Sequence, residues 1–308
     1  MNSILDRLEF PRDTLLGDIR PWLESCLARN YQPSTLRFQY ASFRGFSSFM
    51  ARERGVRRTP DVRTEDLNAF AASLVQRGLS DATQENSLQT VKNYFAWLTK
   101  TGQIFDSPAR TLVVPRKARR LQRVPSIREM ECVLDGIAGS KPHDDLDRAL
   151  LEIAYGAGLR LSELTSLTTE SVDLAGCTVR VIGKGQKERV VPITQRAARE
   201  TRGYLRRGRT TLLRGRKDEL SLWIGRDGFP LRSNGVRCRI QNRAMRAKVR
   251  LCPHDIRRAF ATHMLQRGMS PAILKELLGH ATYSHLKEYL RYAPVELQAI
   301  HRRSHPGK

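Results

Sequence analysis

Residues 253–260 read Pro253-His254-Asp255-Ile256-Arg257-Arg258-Ala259-Phe260. Proline is typical of the first turn of a helix, and the apolar residues Ile256, Phe260 and Met264 follow at four-residue spacing. The stretch therefore predicts a helix that buries these three side chains. His254 and Arg257 are three residues apart, so they share one face near its N-terminus. Taken alone, the pair fits a capping histidine beside a surface arginine equally well.

A second segment, residues 156–164, reads Gly-Ala-Gly-Leu-Arg-Leu-Ser-Glu-Leu. Its two glycines predict a bend before a helix, with Arg160 in the first turn of that helix. A guanidinium group beside the N–H groups of a helix start suits a phosphate. An arginine in this position is also common on ordinary protein surfaces, so the segment by itself indicates little.

A third segment, Leu277-Leu278-Gly279-His280, ends another predicted helix. The pair Ser270-Pro271 is typical of the start of that helix, and Gly279 is typical of its end. His280 therefore begins a new segment. Tyr289 follows nine residues later, and most tyrosines at such positions are core residues. Two further tyrosines compete with it for any special role, Tyr283 and Tyr292.

A fourth segment predicts a β-hairpin. Residues 178–182 and 188–193 are rich in β-branched side chains, and they flank the tip Gly183-Lys184-Gly185-Gln186. A lysine on a glycine-rich tip suits a flexible proton donor or a phosphate contact. It is equally typical of an ordinary solvated turn.

The first hundred residues predict helices only. Capping residues, apolar spacing and terminal glycines delimit four of them, from Asp13 to about Ala28, from Ser34 to Gly55, from Thr64 to Gly78 and from Asp81 to Gly102. Helices of this length form a small four-helix bundle. After Ser126 helical patterns surround the hairpin. We therefore expect a mainly α protein with a small β-hairpin or sheet, of the α+β class. Its domains would be residues 1–107 and 126–308, joined by a linker at 108–125.

Basic residues are concentrated in two places without neighbouring acids. The predicted linker is extended, because prolines occupy both of its ends and its middle, and it carries six cations. A second group lies on a probable helix near residues 232–250, which could follow a duplex or enter a groove. From these groups we predict the nucleic-acid contacts Arg116, Lys117, Arg119, Arg120, Arg123, Arg237, Arg239 and Arg243.

Composition limits the class of protein. A length of 308 residues suits two domains. The 54 Lys+Arg against 31 Asp+Glu give a net charge of +23, which indicates a polyanionic partner such as DNA, RNA or an anionic membrane surface. No run approaches the roughly 20 apolar residues of a membrane-spanning helix, and the N-terminus lacks the apolar segment of a signal peptide. We therefore expect no membrane partner.

Cysteines and motif patterns point the same way. The five cysteines are an odd number without a Cys-x-x-Cys pair, which favours a reducing cytoplasm. The sequence has no Walker-type phosphate loop and no cluster of acids to hold Mg²⁺. Its histidines are not at zinc spacing. We predict no metal, no cofactor and no small-molecule substrate.

Together the four segments closely resemble the tyrosine recombinase family, which includes phage integrases and Xer-like site-specific recombinases. The resemblance runs from about Leu151 to Tyr292, and the N-terminal helices are similar in kind to the family's SAM-like core-binding domain. By motif, the family's catalytic positions fall in the right order on Arg160, Lys184, His254, Arg257, His280 and Tyr289, the nucleophile. Lys184 lies in the family's Gly-Lys-Gly-x-Lys-x-Arg pattern, which ends at Arg189. Arg258 stands where the family often has histidine, and a common threonine pair is replaced by His285-Leu286.

The resemblance implies a site-specific DNA recombinase with a C-terminal catalytic domain. Such enzymes break and rejoin DNA through a covalent 3′-phosphotyrosyl bond, as homo-tetramers on two DNA sites, and exchange strands through a Holliday junction. A helix near Val295 to Ile300 would dock on a neighbouring protomer, and a bacterial member would work in the cytoplasm at the nucleoid. A paralogous recombinase, an accessory protein, the target sequence and the task (resolution, integration, transposition or inversion) stay open. Alternatives are a type IB topoisomerase-like relaxing enzyme and a non-catalytic DNA-binding protein.

Overall fold

A computed structural model describes residues 4–115, 122–183, 187–216 and 219–279, together with Thr282 and Tyr289. The chain divides into two compact units, Met1–Leu121 and Gln122–Lys308, and each unit has its own hydrophobic core. The described residues are mainly helical, with a small antiparallel sheet. The predicted α+β class is therefore confirmed.

Unit one, Met1–Leu121, contains the helices predicted for the N-terminal region. They are α1 (Leu15–Asp18), α2 (Arg20–Ala28), α3 (Pro33–Phe49), α4 (Thr64–Gln76) and α5 (Asp81–Lys100). Aromatic rings from these helices meet edge to face in the core: the centroids of Phe43 and Tyr94 are 4.8 Å apart, and those of Phe46 and Phe70 are 5.1 Å apart. Each such pair stabilises the bundle by about 1 kcal/mol beyond the area that it buries.

The prediction of one continuous helix from Asp13 was wrong. The structure breaks it at Ile19 into α1 and α2. Pro21 has no N–H group to continue the ladder of an earlier helix, so it is tolerated only in a new first turn. Asp13 does not cap α1. Thr14 does, because its hydroxyl accepts a hydrogen bond from the N–H of Gly17 at 3.2 Å.

The described part of the predicted linker is shared between the units. Ala109 and Leu112 are buried in the core of unit one, and the Lys92 ammonium donates to the carbonyl of Leu112 at 3.0 Å. In unit two, Pro125 is buried and Val124 packs on the core. Four predicted contacts in between, Arg116, Lys117, Arg119 and Arg120, lie outside the described residues.

Unit two, Gln122–Lys308, surrounds a central helix. Its helices are α6 (Ile127–Asp135), α7 (Pro142–Ala157), α8 (Leu161–Thr165), α9 (Gln195–Gly203), α10 (Thr210–Leu212), α11 (Ser233–Arg246), α12 (Pro253–Gln266) and α13 (Pro271–Leu278). Helix α7 packs against α9, α11 and α12. It is buried on most of its surface, as expected for the core helix of a unit of this size.

The predicted hairpin is confirmed outside its tip. Strand β1 (Val172–Asp173) pairs with β2 (Thr178–Ile182), which pairs with β3 (Glu188–Pro192), all antiparallel. Val179 lies opposite Val191, and Val181 lies opposite Arg189. The valines are buried on one face of the sheet. Because side chains alternate along a strand, Arg189 lies on that same inward face.

Helix α11 is attached to α7 by buried charges. The Arg243 side chain is 9% exposed, and its guanidinium pairs with Asp147 at 2.6 Å and with Asp144. Arg239, one turn earlier, donates to Asp147 at 2.7 Å. Burial acts to raise the pKa of the Asp144 carboxyl, but the hydrogen bonds from Arg243 and from the Lys141 backbone outweigh it and lower that pKa. These two arginines therefore hold helices together, and they are not a solvated basic face.

Candidate active site

Helix α12 brings Arg257 into the interior of unit two. Ile256 and Phe260 are buried as predicted, and Met264 is half-buried. Phe260 covers Gly158 at the end of α7, where a Cβ would lie 2.3 Å from the ring. Gly158 has φ 58°, a conformation that favours glycine. This close approach places the Gly158 carbonyl 2.8 Å from Arg257 Nη1, which donates to it.

Three arginines surround the buried carboxylate of Glu163. Arg160 donates to it twice, from its backbone N–H at 2.9 Å and from Nη1 at 2.7 Å. Arg189 binds both of its oxygens, at 3.0 and 2.9 Å. Arg257 Nη1 lies 3.7 Å from Oε2. Glu163 is 3% exposed, so the predicted arginine pair Arg160 and Arg257 is brought together around one internal anion.

The end of α13 binds the same three arginines through consecutive backbone carbonyls. The Leu277 carbonyl accepts from Arg189 at 2.8 Å, and the Leu278 carbonyl accepts from Arg257 at 2.7 Å. The Gly279 carbonyl accepts from Arg160 at 3.3 Å. Carbonyls at a helix C-terminus lack partners in the helix and carry partial negative charge, so cations are stabilised there. Gly279 has φ 61° and ends the helix as predicted.

Burial and neighbouring charges shift the pKa values of Glu163 and Arg257. Burial acts to raise the pKa of Glu163, but the hydrogen bonds from Arg189 and Arg160 outweigh it and hold that pKa at about 2. Burial, and next the positive charge of Arg160, lower the pKa of Arg257 to about 10, while Glu163 and Tyr289 act to raise it. Near neutral pH the site therefore holds one carboxylate and charged arginines, which is a net positive pocket suited to a phosphate.

Tyr289 belongs to the same neighbourhood. Its side chain is 4% exposed, in a small apolar cluster with Phe260, Leu274 and Leu278. An electrostatic interaction with Tyr289 acts to raise the pKa of Arg257. The structure thus brings Arg160, Arg257 and Tyr289 to one region between α8, α12 and the end of α13.

The remaining predicted catalytic residues are less completely described. His254 is exposed in the first turn of α12. Lys184 at the hairpin tip and His280 after α13 lie outside the described residues. Two polar residues of the cluster were not predicted as site residues, Glu163 and Arg189. Each stands inside a quoted motif, but a first-turn glutamate and a strand arginine are typical of solvated positions.

The low pKa of Glu163 makes a prediction for stability. A carboxyl with a pKa of about 2 when folded and 4.5 ordinarily stabilises the fold above pH 4.5, and this contribution is lost as the pH falls towards 2. We expect Glu163→Gln to lower the free energy of unfolding at pH 7 by about 3 kcal/mol. The difference from wild type should shrink in acid. Urea unfolding across pH 2–7 measures it, with Glu170→Gln at an exposed position as the control. A difference that does not depend on pH would contradict the linkage.

The end of the linker is tied to α12 within unit two. Arg258 is 1% exposed and contacts the side chains of Gln122 and Asp255 and the carbonyl of Arg123. Arg123 itself donates to the Arg250 carbonyl at 2.8 Å and pairs with Glu129. Arg258 stands where the family often has histidine, and its longer side chain reaches the linker residues Gln122 and Arg123.

Among residues 4–115, 122–183, 187–216 and 219–279, no group of three His, Cys, Asp or Glu side chains is arranged to hold a metal ion. Within the same part of the chain, no helix combines the length and the apolar character needed to span a bilayer.

The sequence is similar to a known protein family and to curated proteins. Residues 128–295 match the phage integrase family. The chain is 33% identical to tyrosine recombinase XerD of Proteus mirabilis over 248 residues, which cover 80% of this chain and 79% of that protein. It is 30% identical to tyrosine recombinase XerC of Chromobacterium violaceum over 290 residues, 94% of each chain.

Solved structures agree in fold. XerH recombinase bound to palindromic difH substrate matches with a TM-score of 0.72 at 19% identity, covering 94% of this chain and 83% of that one. A lambda integrase dimer bound to a COC′ core site matches with a TM-score of 0.68 at 14% identity, covering 90% and 77%. The family match spans more than half of the sequence, and the curated relatives span most of it. The chain belongs to the phage integrase family of tyrosine recombinases.

Proposed function

We propose that this site-specific recombinase cleaves and rejoins double-stranded DNA through a covalent bond between Tyr289 and a 3′ phosphate. The observation that carries the proposal is the convergence of Arg160 and Arg257 on Glu163 and on the end of α13, beside Tyr289. A relaxing topoisomerase or a non-catalytic DNA-binding protein receives no support from the relatives described above, which are recombinases and an integrase.

In this proposal the two arginines bind the scissile phosphate. A phosphodiester is anionic and repels nucleophiles, so its non-bridging oxygens need charged donors as the phosphorus passes through its transition state. Guanidinium groups supply two parallel hydrogen bonds each without a metal ion. Glu163 and the α13 carbonyls orient them from behind. His280 is assigned a further hydrogen bond to the same oxygens.

The proton transfers are assigned to the remaining residues. A free tyrosine ionises near pH 10, roughly, so the attacking hydroxyl needs a base, and His254 is placed in the role of acceptor or shuttle. The Tyr289 oxygen forms a bond to phosphorus while the bond to the 5′ oxygen breaks. Lys184 is the proposed donor of the proton that the 5′ oxygen takes up.

The covalent intermediate makes rejoining possible without ATP. The phosphotyrosyl bond retains the energy of the broken phosphodiester, so the 5′-hydroxyl of a second strand can displace Tyr289. We propose that four protomers act on two DNA sites and exchange strands through a Holliday junction, in the cytoplasm at the nucleoid.

The proposed DNA surface keeps the linker cations Arg116, Lys117, Arg119, Arg120 and Arg123, together with Arg237 on α11, which is exposed. We leave out the buried Arg243 and its neighbour Arg239, because Asp144 and Asp147 already neutralise their guanidinium groups. A largely buried cation that must stay paired to hold a helix in place is not available to phosphate, whereas the Arg123 side chain, which also pairs with Glu129, is 49% exposed.

This division of α11 is testable by two alanine variants. We expect Arg237→Ala to weaken DNA binding and reduce its salt dependence by about one phosphate contact, with unfolding unchanged within about 0.5 kcal/mol. We expect Arg243→Ala to lower the free energy of unfolding by about 3 kcal/mol, because two carboxylates stay buried without it. Urea unfolding and DNA titration at two salt concentrations measure both. Weakened DNA binding by a fully stable Arg243→Ala protein would contradict the assignment.

The test of the function is to trap and map the covalent adduct. Wild-type protein is incubated in EDTA with site DNA nicked next to the cleavage position, so that the released fragment cannot religate. We expect a band that survives denaturation. Trypsin cuts after lysine and arginine, and Lys287 and Arg291 lie on either side of the tyrosine, so the nucleotide should be found on the peptide 288–291.

The digest separates the rival tyrosines. Tyr292 begins the next tryptic peptide, and a nucleotide there would move the nucleophile to that residue. Bound site DNA that never yields an adduct would overturn the proposed chemistry.

A further inference from the structure

Arg189 lies on strand β3, and its side chain binds both Glu163 and the end of α13. Its Nη1 and Nη2 bind the two oxygens of Glu163, and its Nε donates to the Leu277 carbonyl at 2.8 Å. One guanidinium therefore joins β3, α8 and the end of α13. A Cβ on Gly279 would lie 2.9 Å from Arg189 Nη1, so the turn after α13 closes directly over this group.

The same residue stands at the base of the hairpin tip. Strands β2 and β3 are in register up to the pair of Ile182 and Glu188, and the Gly183 N–H donates to the Lys187 carbonyl at 2.8 Å. That bond closes the described stem, and Lys184 follows Gly183 directly in the sequence. Arg189 is the second residue of β3, so the tip is attached to the site through the strand that Arg189 fixes.

We propose that Arg189 is a positioning residue that holds the hairpin stem against the arginine cluster, so that the hairpin can deliver a proton to the 5′ leaving oxygen. This inference rests on the proposed function, in which Lys184 is the donor. As the phosphorus–oxygen bond breaks, the proton moves from the donor to the 5′ oxygen, and the Tyr289 oxygen takes the phosphoryl group. Arg189 touches neither reacting atom and acts through the placement of the tip.

A lysine cannot perform this task, although it keeps the charge. An ammonium group is a compact point charge without the planar fork that spans Glu163 and the Leu277 carbonyl at once. Arg189→Lys therefore retains a cation beside the buried Glu163 while it gives up the three-way connection. This makes it the variant of choice, since loss of the positive charge would leave Glu163 with one cation fewer and endanger folding.

The experiment compares two nicked site DNAs, one with the natural 5′ oxygen at the scissile bond and one with a bridging 5′ sulfur. A departing thiolate needs no proton, because thiols ionise near pH 8.5, roughly. We expect Arg189→Lys to cleave the oxygen substrate at least about ten-fold more slowly than wild type, and Lys184→Ala about a hundred-fold more slowly. On the sulfur substrate both variants should come within about three-fold of wild type. The double variant should be no slower than Lys184→Ala alone.

Controls keep the outcomes separate. Arg180→Lys alters an exposed arginine of the same hairpin and should cleave both substrates normally, and thermal unfolding checks that every variant is folded. Equal loss on both substrates, or a double variant that is slower by the product of the two defects, would overturn the role proposed for Arg189. If Lys184→Ala itself cleaves the oxygen substrate like wild type, the assignment of the proton donor fails instead, which is a different result.

Discussion

Tyr289→Phe abolishes the covalent adduct and all strand exchange while the protein still binds its site; this is the largest effect we expect. Phenylalanine keeps the ring that packs with Phe260, Leu274 and Leu278 and removes only the attacking oxygen. In the proposed mechanism no other group forms the phosphotyrosyl bond, so the loss should exceed about 10⁴-fold and be limited by detection. The measurement is the rate of adduct formation on nicked site DNA, with site affinity determined in parallel.

Folding and binding give the controls for this variant. A change that removes one hydroxyl from an apolar cluster should leave thermal unfolding nearly unchanged, and site affinity should stay within about three-fold of wild type. Tyr155→Phe is a matched control, because Tyr155 also packs on this cluster and its hydroxyl bonds to His263 at 2.8 Å. Persistent adduct in Tyr289→Phe, with the nucleotide on another peptide, would show that the nucleophile is elsewhere.

Arg257→Lys should reduce the cleavage rate of bound DNA by about 10³-fold, the second largest effect. The guanidinium is buried and aligned by the carbonyls of Gly158 and Leu278, which fixes the plane of the group. A lysine keeps the charge but cannot hold two carbonyls and a phosphate in one plane. Loss of one aligned donor to a transition-state oxygen typically costs 10²–10³-fold, roughly, and the disturbed alignment adds to it.

The effects of Arg257→Lys on site affinity and on the cleavage rate should differ. Because the charge is retained, site affinity should fall by less than about ten-fold, while single-turnover cleavage falls far more. Arg267→Lys, at an exposed position at the end of the same helix, should do neither. Arg160→Lys should lose about 10²-fold, since the Arg160 side chain is 38% exposed and less constrained. A rate loss for Arg257→Lys below ten-fold would remove it from the proposed phosphate contacts.

Much of the fold was predictable because apolar periodicity reports burial directly. The faces of α3 and α5, the two hairpin strands, and the glycine that ends α13 follow from spacing and from capping chemistry. The break between α1 and α2 was missed, although Pro21 carried the signal. Four motif segments of the sequence also indicate the family, to which the chain belongs.

Buried charge could not be predicted in the same way. Arg243 was predicted to be part of a basic surface, because a run of cations without nearby acids in sequence is typical of one. Its partners, Asp144 and Asp147, are about a hundred residues away and are brought to it only by the packing of α7 on α11. Glu163 and Arg189 were not predicted as site residues for the same reason, because the pairing of Arg189 with Glu163 leaves no local pattern in the sequence.

The burial of Tyr289 bears on genome integrity. Because Tyr289 is 4% exposed, we expect its ring to leave the apolar cluster before the hydroxyl meets a phosphate, and re-exposing a side chain of this kind costs about 2 kcal/mol. That cost alone lowers the reactive population about thirty-fold. A protomer that scans random sequence therefore breaks few strands, and breakage becomes frequent only where cognate contacts offset the cost. We therefore expect the burial of Tyr289 to limit accidental lesions in chromosomal DNA before any partner protein is involved.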